Sequence, residues 1–149
     1  MGKDNIDEFS AALEGKDKVE QYIEPLVPDM LSTTDPNEIV HQMRSLLCPA
    51  DAAVMTEEYA DFLTKSVGEG IRDRRDGWID DDIALVTSWG FDLRQIRVPV
   101  LLLHGEQDQM VPVSHGKWLS KRIKNVDDRF LADEGHLSLK LRVESSPNW

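Results

Sequence analysis

The chain is poor in the features that mark secreted, disulfide-bonded or membrane proteins. Its 149 residues include one cysteine, Cys48, which cannot form a disulfide within the chain. Nothing in the sequence therefore points to an oxidising compartment. No stretch approaches the roughly 18 apolar residues that a membrane-spanning helix needs, and the N-terminal residues are polar rather than signal-like. We expect a cytoplasmic protein with no membrane partner.

Basic residues are scarce as well. The sequence has 17 lysines and arginines against 28 aspartates and glutamates, and its formal net charge is −11. Nucleic acids and anionic membranes are bound through clustered lysine and arginine, so this composition argues against both as partners. The charge is uneven, because residues 1–90 carry 20 acids and 8 bases whereas residues 91–149 carry 8 acids and 9 bases. The difference predicts two regions, and the acidity of the first is typical of a solvated surface.

Residues 1–90 predict a helical region, because apolar residues recur there at helical spacing and no strand-like alternation of useful length occurs. One helix is expected to begin after Asp35, an N-cap residue followed by Pro36, and to continue to Leu47 before Pro49 ends it. Another is expected after the N-cap residue Thr56. The expected inner faces are Ile6, Phe9 and Leu13 in a first helix that stops at Gly15, and Tyr59, Phe62, Leu63 and Val67 in the helix after Thr56.

An acidic run, Asp80-Asp81-Asp82, lies near the predicted start of the last helix of this region. Adjacent residues of a helix point in different directions, which disfavours a metal site built from the three carboxylates. We expect solvated acids that the positive end of the helix dipole stabilises.

The pattern changes after Phe91. Val100-Leu101-Leu102-Leu103 is a continuous apolar run, typical of a parallel strand that is buried on both faces. Gly105 supplies a turn, a helix is expected from Pro112, and Arg129-Phe130-Leu131 predicts a second strand. The unit should be parallel and right-handed. The fold class is therefore α/β, with a helical region at 1–90 followed by a strand–helix–strand region at 91–149.

Asp108 and His136 follow the two predicted strands. In open parallel sheets, functional groups gather beyond the carboxyl ends of the strands, so we expect these side chains to be neighbours. A carboxylate that accepts the Nδ1 proton of an imidazole fixes its tautomer and leaves Nε2 free to act as a general base. The pair is the part of a catalytic triad that activates a hydroxyl.

Two segments carry a resemblance to a known family. "IRVPVLLLHGEQDQMVP" (Ile96 to Pro112) and "ADEGHLSL" (Ala132 to Leu139) resemble the acid-bearing and histidine-bearing segments of the α/β-hydrolase superfamily, in its cap-bearing branch of esterase-like and epoxide-hydrolase-like proteins. The similarity extends more loosely through "GWIDDDIALVTSWGFDL" (Gly77 to Leu93) into helices that look like that family's cap. The resemblance implies that Asp108 is the triad acid and His136 the triad base, and that the substrate is a small ester or a related molecule. It implies no cofactor.

The chain departs from the family at the nucleophile. The family places its serine on a G-x-S-x-G turn upstream of the acid and the histidine, and this sequence contains no such pattern. We therefore expect the C-terminal portion of a hydrolase, the cap plus the last part of the core, which would be nearly inactive alone. Two alternatives stay open: a non-catalytic module that self-associates, and one half of a split hydrolase that a missing N-terminal half complements.

Each candidate residue also has a purely structural interpretation. His136 could be a satisfied loop histidine, and Asp108 a turn residue. His104, Glu106 and Asp108 could be metal ligands, although spacing alone does not supply the geometry. Cys48 is expected to be buried and inert at the end of an apolar stripe. His115 is interpreted as a surface residue and His41 as a structural residue on a helix flank. Three tryptophans are interpreted as packing groups rather than a substrate cage, namely Trp78, Trp89 and Trp118.

Overall fold

The computed structural model describes residues 1–33 and 35–144. Residues 145–149 of the predicted second region lie outside this part of the chain. In chain order the elements are α1 (Lys3–Glu14), α2 (Lys16–Ile23), α3 (Val27–Ser32), α4 (Pro36–Gln42), α5 (Pro49–Val54), α6 (Glu57–Ile71), α7 (Asp76–Val86), β1 (Val100–Gly105), α8 (Val113–Ser120), β2 (Val126–Leu131) and α9 (Leu139–Glu144), with a 3-10 turn at Leu93–Gln95. The protein is thus rich in helix and has a small parallel sheet.

These elements form two compact units. Among the described residues, the helical unit comprises 3–45 and 55–89, and the α/β unit comprises 1–2, 46–54 and 90–144. The predicted division near residue 90 therefore coincides with a unit boundary. It differs at residues 46–54, which were expected in the helical region and instead belong to the α/β unit.

The helical unit has an apolar core shared by α1, α2, α3, α6 and α7. Val19 and Ile23 of α2 are fully buried, each with no exposed surface. Gly15 connects α1 to α2 with a φ of 116°, a backbone conformation that a residue with a Cβ rarely adopts. The other buried members of this core are Ala12, Val27, Ile71 and Ile79.

Both predicted N-caps of this unit are confirmed. The Asp35 carboxylate accepts a 2.9 Å hydrogen bond from the Asn37 amide at the start of α4, and the Thr56 hydroxyl accepts one of 3.3 Å from the Tyr59 amide at the start of α6. The predicted extension of α4 to Leu47 is wrong. The helix ends at Gln42, because the next residue leaves helical geometry with ψ at 0°.

Three of the predicted inner-face residues point to solvent. Ile6, Leu13 and Phe62 are 50%, 75% and 59% exposed. On the same helices the least exposed residues are Ala12 and Ala60, at 3% and 2%. Alanine allows a neighbouring element to approach closely. The buried face of each helix is therefore the face that carries the alanine, and it differs from the face that carries these large apolar residues.

The prediction of solvated acids is confirmed for Asp80 and Asp81, which are exposed, and is wrong for Asp82 and for the position of the run in the helix. Helix α7 begins at Asp76, so the run lies in the middle of the helix rather than at its start. Asp80 is paired with Lys16 at 2.9 Å, whereas Asp82 is 4% exposed and faces the interior of the helical unit. The cause is helical periodicity, which turns one of three consecutive residues inward.

In the α/β unit, β1 and β2 are parallel, as predicted, with Val100 opposite Val126 and Gly105 opposite Leu131. Helix α8 connects them. The expected burial of Val100–Leu103 on both faces is not found, since all four residues are only half-buried. The described residues supply two strands and few covering elements, which is too little to bury both faces of β1.

Within the described residues, no helix is both long enough and apolar enough to cross a membrane.

Candidate functional site

The candidate site lies where β1 and β2 end side by side. The loop after β1 is joined to the loop after β2 by two backbone hydrogen bonds, from the Glu106 amide to the Leu131 carbonyl at 2.9 Å and from the Gln107 amide to the Glu134 carbonyl at 3.0 Å. Gly105 makes this approach possible. A Cβ at that position would lie 2.2 Å from the Gly135 carbonyl oxygen, far inside contact distance.

The structure brings Asp108 and His136 together. Nδ1 of His136 lies 2.9 Å from Oδ2 of Asp108. The other carboxylate oxygen, Oδ1, accepts hydrogen bonds from the amides of Met110 and Val111, both at 2.8 Å. Asp108 is only 6% exposed, so both of its oxygens are held in fixed directions.

These contacts set the charge of Asp108. Burial by itself raises the pKa of the carboxyl, but the hydrogen bond from His136 and those from the Val111 and Met110 amides outweigh it, so the pKa lies below its usual value. Asp108 is therefore ionised at neutral pH and acts only as an acceptor. It follows that Nδ1 is the nitrogen of His136 that carries a proton.

The side chain of His136, unlike that of Asp108, is partly exposed. Its exposed fraction is 42%, and among the described residues Nε2 has no hydrogen-bond partner. The hydrogen bond to Asp108 raises the pKa of the imidazole above its usual value, and the negative charges of Asp108 and Asp51 add to this effect against the cost of burial. The ring is thus oriented at Nδ1 and made more basic, and its side chain is partly exposed.

Asp51, on the short helix α5, was not identified by the sequence. It has no exposed surface. Its Oδ2 accepts a 3.0 Å hydrogen bond from the His136 amide, and its Oδ1 accepts bonds from the amides of Leu137 and Ser138 at 2.8 and 3.0 Å. A single acid within the apolar stretch "CPADAAVM" (Cys48 to Met55) was the only available signal.

Further contacts fix the rest of the histidine loop. Ser138 is buried, and its hydroxyl oxygen accepts a 2.8 Å hydrogen bond from the Gly135 amide. Glu134, also buried, accepts a 2.6 Å hydrogen bond from Nε of Arg142. The hydrogen bonds from Ser138 and Arg142 hold the pKa of Glu134 below its usual value. Two carboxylates therefore fix the loop after β2: Glu134, which binds Arg142, and Asp51, which binds the amides of residues 136–138.

The metal-site alternative has no geometric support in the described residues, where no three potential ligands are grouped suitably. His104 is buried, donates through Nε2 to the Val111 carbonyl at 3.0 Å, and lies 3.7 Å from Oδ2 of Asp108. Glu106 instead pairs with Lys117 at 3.1 Å. His104 therefore supports the loop that carries Asp108.

Cys48 is buried, as predicted, with 5% of its surface exposed. Burial raises the pKa of the thiol above its usual value, and the neighbouring Asp51 carboxylate contributes. A protonated, covered thiol is a poor nucleophile.

His41, Trp78 and Trp89 belong to the helical unit, whereas His115 and Trp118 lie on α8 of the α/β unit. His115 is exposed, as expected, and His41, which was interpreted as a structural residue, is exposed as well. The Trp78 indole donates a 2.6 Å hydrogen bond to Glu8 within the helical unit. Trp89 and Trp118 are 53% and 46% exposed, so the interpretation of these two as packing groups is wrong.

Comparison of the chain with protein-family models, with curated proteins and with solved structures gave no match.

Proposed function

We propose that this chain supplies the acid–histidine pair of a serine-type hydrolase of the α/β-hydrolase kind, which acts on a small ester or a related uncharged substrate. One observation carries the proposal. At the adjacent ends of two parallel strands, a buried and ionised Asp108 orients a partly exposed His136 through Nδ1, and Nε2 has no hydrogen-bond partner among the described residues. This is the arrangement that a general base requires.

The proposed reaction uses a hydroxyl from a polypeptide segment outside this sequence. Nε2 of His136 takes the hydroxyl proton as the oxygen attacks the ester carbonyl, and Asp108 stabilises the imidazolium that forms. The imidazolium then returns the proton to the departing alkoxide as the carbon–oxygen bond of the ester breaks. Water, deprotonated by the same nitrogen, releases the acid and restores the hydroxyl.

The isolated chain should then lack triad-level turnover. Loss of the nucleophile from a triad costs on the order of a millionfold in turnover. We expect only a slow, imidazole-dependent hydrolysis of p-nitrophenyl acetate that rises with the deprotonated fraction of His136. His136→Gln should abolish this rate, whereas His115→Gln, which removes an exposed histidine, should not.

Two outcomes would count against the proposal. If His136→Gln and His115→Gln behave identically at every pH, His136 is no general base. Triad-level rates that His136→Ala abolishes would show that a nucleophile is present after all. The coding sequence immediately upstream of Met1 is an independent check, because an in-frame G-x-S-x-G there would identify the hydroxyl.

A second function, self-association without catalysis, is favoured by the outer edge of β1. The Val100 and Glu106 amides donate toward the β2 side, so the alternating Leu101 and Leu103 amides point to the opposite edge. No strand among the described residues pairs with that edge. An apolar strand with an open edge is a template for pairing with another copy.

Sedimentation velocity over a range of concentrations tests this alternative. We expect association that Val98→Lys weakens, because a lysine beside the edge places like charges next to each other in a paired dimer. Leu85→Lys is the matched control, since Val98 and Leu85 are each 65% exposed and Leu85 lies in the helical unit. A folded monomer at the highest concentration would exclude self-association.

A further inference from the structure

We propose that Asp51 is a positioning residue for His136: its buried carboxylate holds the backbone of residues 136–138 so that the imidazole meets Asp108. This inference rests on the proposed function for its catalytic meaning, but its geometry and its test are independent of turnover.

The first support is the number and arrangement of the hydrogen bonds. Three successive amides, those of His136, Leu137 and Ser138, all donate to the Asp51 carboxylate, at distances of 2.8 to 3.0 Å. Successive N–H groups that converge in this way form a concave anion-binding nest. A carboxylate with no exposed surface would be costly to bury without such partners, so the nest and the charge stabilise each other.

The second support is steric. A Cβ on Gly135 would lie 2.2 Å from Oδ2 of Asp51 and 2.4 Å from Sγ of Cys48. The loop therefore lies directly against α5, and only a glycine at position 135 permits this contact. The backbone of His136 is therefore held against α5 while its imidazole bonds Asp108.

The third support is electrostatic. Asp51 is a second negative charge near His136, and it acts in the same direction as Asp108, raising the pKa of the imidazole. Its charge also acts on the neighbouring groups Glu134 and Cys48. A neutral residue of the same shape at position 51 would therefore alter His136 as well as the backbone.

The test compares Asp51→Asn with Asp133→Asn by NMR in the full chain. Asp51→Asn keeps the volume but removes the charge and directs an amide donor at the nest. We expect the titration midpoint of His136 to fall and the exchange of the amides at 136–138 to speed up about tenfold, as suits the loss of a charge-assisted hydrogen bond. Asp133 is an exposed acid in the same loop, and Asp133→Asn should change neither quantity.

The inference would be overturned if Asp51→Asn had the same His136 titration midpoint and the same amide exchange rates at 136–138 as the wild type or Asp133→Asn. A second measurement avoids dependence on the variant folding. In the wild-type protein, scalar couplings across hydrogen bonds should connect the amide nitrogens of residues 136–138 to the Asp51 carboxyl carbon, and their absence would also overturn it.

The two proposals fail in distinguishable ways. If Asp51→Asn lowers the His136 midpoint but His136→Gln leaves ester hydrolysis unchanged, the positioning role stands and the hydrolase role falls. If His136→Gln abolishes hydrolysis but Asp51→Asn changes neither midpoint nor exchange, the positioning role alone falls.

Discussion

Nδ1 of His136 lies 2.9 Å from Oδ2 of Asp108, and each residue changes the protonation of the other. The pKa of His136 is raised and that of Asp108 is lowered. The imidazolium–carboxylate form is therefore more stable in the folded protein than in the unfolded chain. This coupling can be measured directly, because histidine titrates in an accessible range of pH.

We predict that Asp108→Asn lowers the titration midpoint of His136, since the variant loses the first cause of the raised pKa, the hydrogen bond to a carboxylate. NMR titration of the ring signals measures the midpoint, and the exposed His115 is the internal control. An unchanged midpoint in Asp108→Asn would show that the two side chains do not interact in solution.

The same pair predicts the pH dependence of stability. A raised histidine pKa contributes stability that is fully present below the unfolded pKa and is lost as pH rises through the folded pKa. A lowered carboxyl pKa contributes stability that is present above the unfolded pKa and is lost as pH falls through the folded one. The free energy of unfolding of the wild type should therefore exceed that of Asp108→Asn by the largest amount between the unfolded pKa values of Asp and His, about pH 4 to pH 6.5. Urea denaturation across this interval measures the difference.

The tight approach of the two loops predicts opposite effects for two glycine substitutions. Gly105→Ala should destabilise the protein by about 2–4 kcal/mol, because the new Cβ would overlap backbone atoms that cannot move independently. Gly68→Ala in α6, where nothing lies within 4 Å of the added carbon, should stabilise by about 0.5–1 kcal/mol, since alanine is the better helix former. Thermal denaturation of both variants checks this. Equal effects would contradict the packing at Gly105.

A buried carboxyl predicts a second pH effect, in the helical unit. Burial and the nearby charge of Glu8 raise the pKa of Asp82 to about 7, and its Oδ2 atom has no hydrogen-bond partner among the residues that the structure describes. A carboxyl whose pKa is higher in the folded state binds more protons there, so its contribution to stability falls as pH rises from about 4 to about 7.

Asp82→Asn should remove this dependence and stabilise the protein at about pH 8 by about 2 kcal/mol, because the amide is neutral and can donate to Glu8. Asp81→Asn, a change at the exposed neighbour, is the matched control and should leave the pH dependence intact. Urea denaturation followed by far-ultraviolet circular dichroism at several pH values provides the measurement. Parallel pH profiles for wild type and Asp82→Asn would contradict the prediction.

The sequence predicted those features that depend on local order along the chain. The caps at Asp35 and Thr56 act on residues two or three positions away. The proximity of Asp108 and His136 followed from one further fact, that parallel strands end at the same edge. A short-range pattern and a topological rule were sufficient for the candidate pair.

Features that depend on distant neighbours could not be predicted in this way. Asp51 is separated from the amides that it binds by more than eighty residues, and an isolated aspartate in α5 carries no periodic signal. Asp82 looks the same in the sequence as Asp80 and Asp81, although only its side chain faces the interior. Tertiary contacts decide such cases, and hydrophobic periodicity does not record them.

The buried thiol of Cys48 reports whether residues 46–54 stay packed in the α/β unit. Its surface is 5% exposed and its pKa is raised, so both access and thiolate fraction are reduced, and only the thiolate attacks a disulfide reagent. We expect Cys48 to react with an aromatic disulfide at least about a hundredfold more slowly in the native protein than in urea. This ratio corresponds to a free energy of about 2.7 kcal/mol or more for the local opening that exposes the thiol, a step that the unfolded chain does not need. Asp51→Asn should speed the native reaction, because the carboxylate that anchors α5 to the histidine loop is lost. Native and denatured rates that coincide would mean that α5 does not remain on the α/β unit in solution.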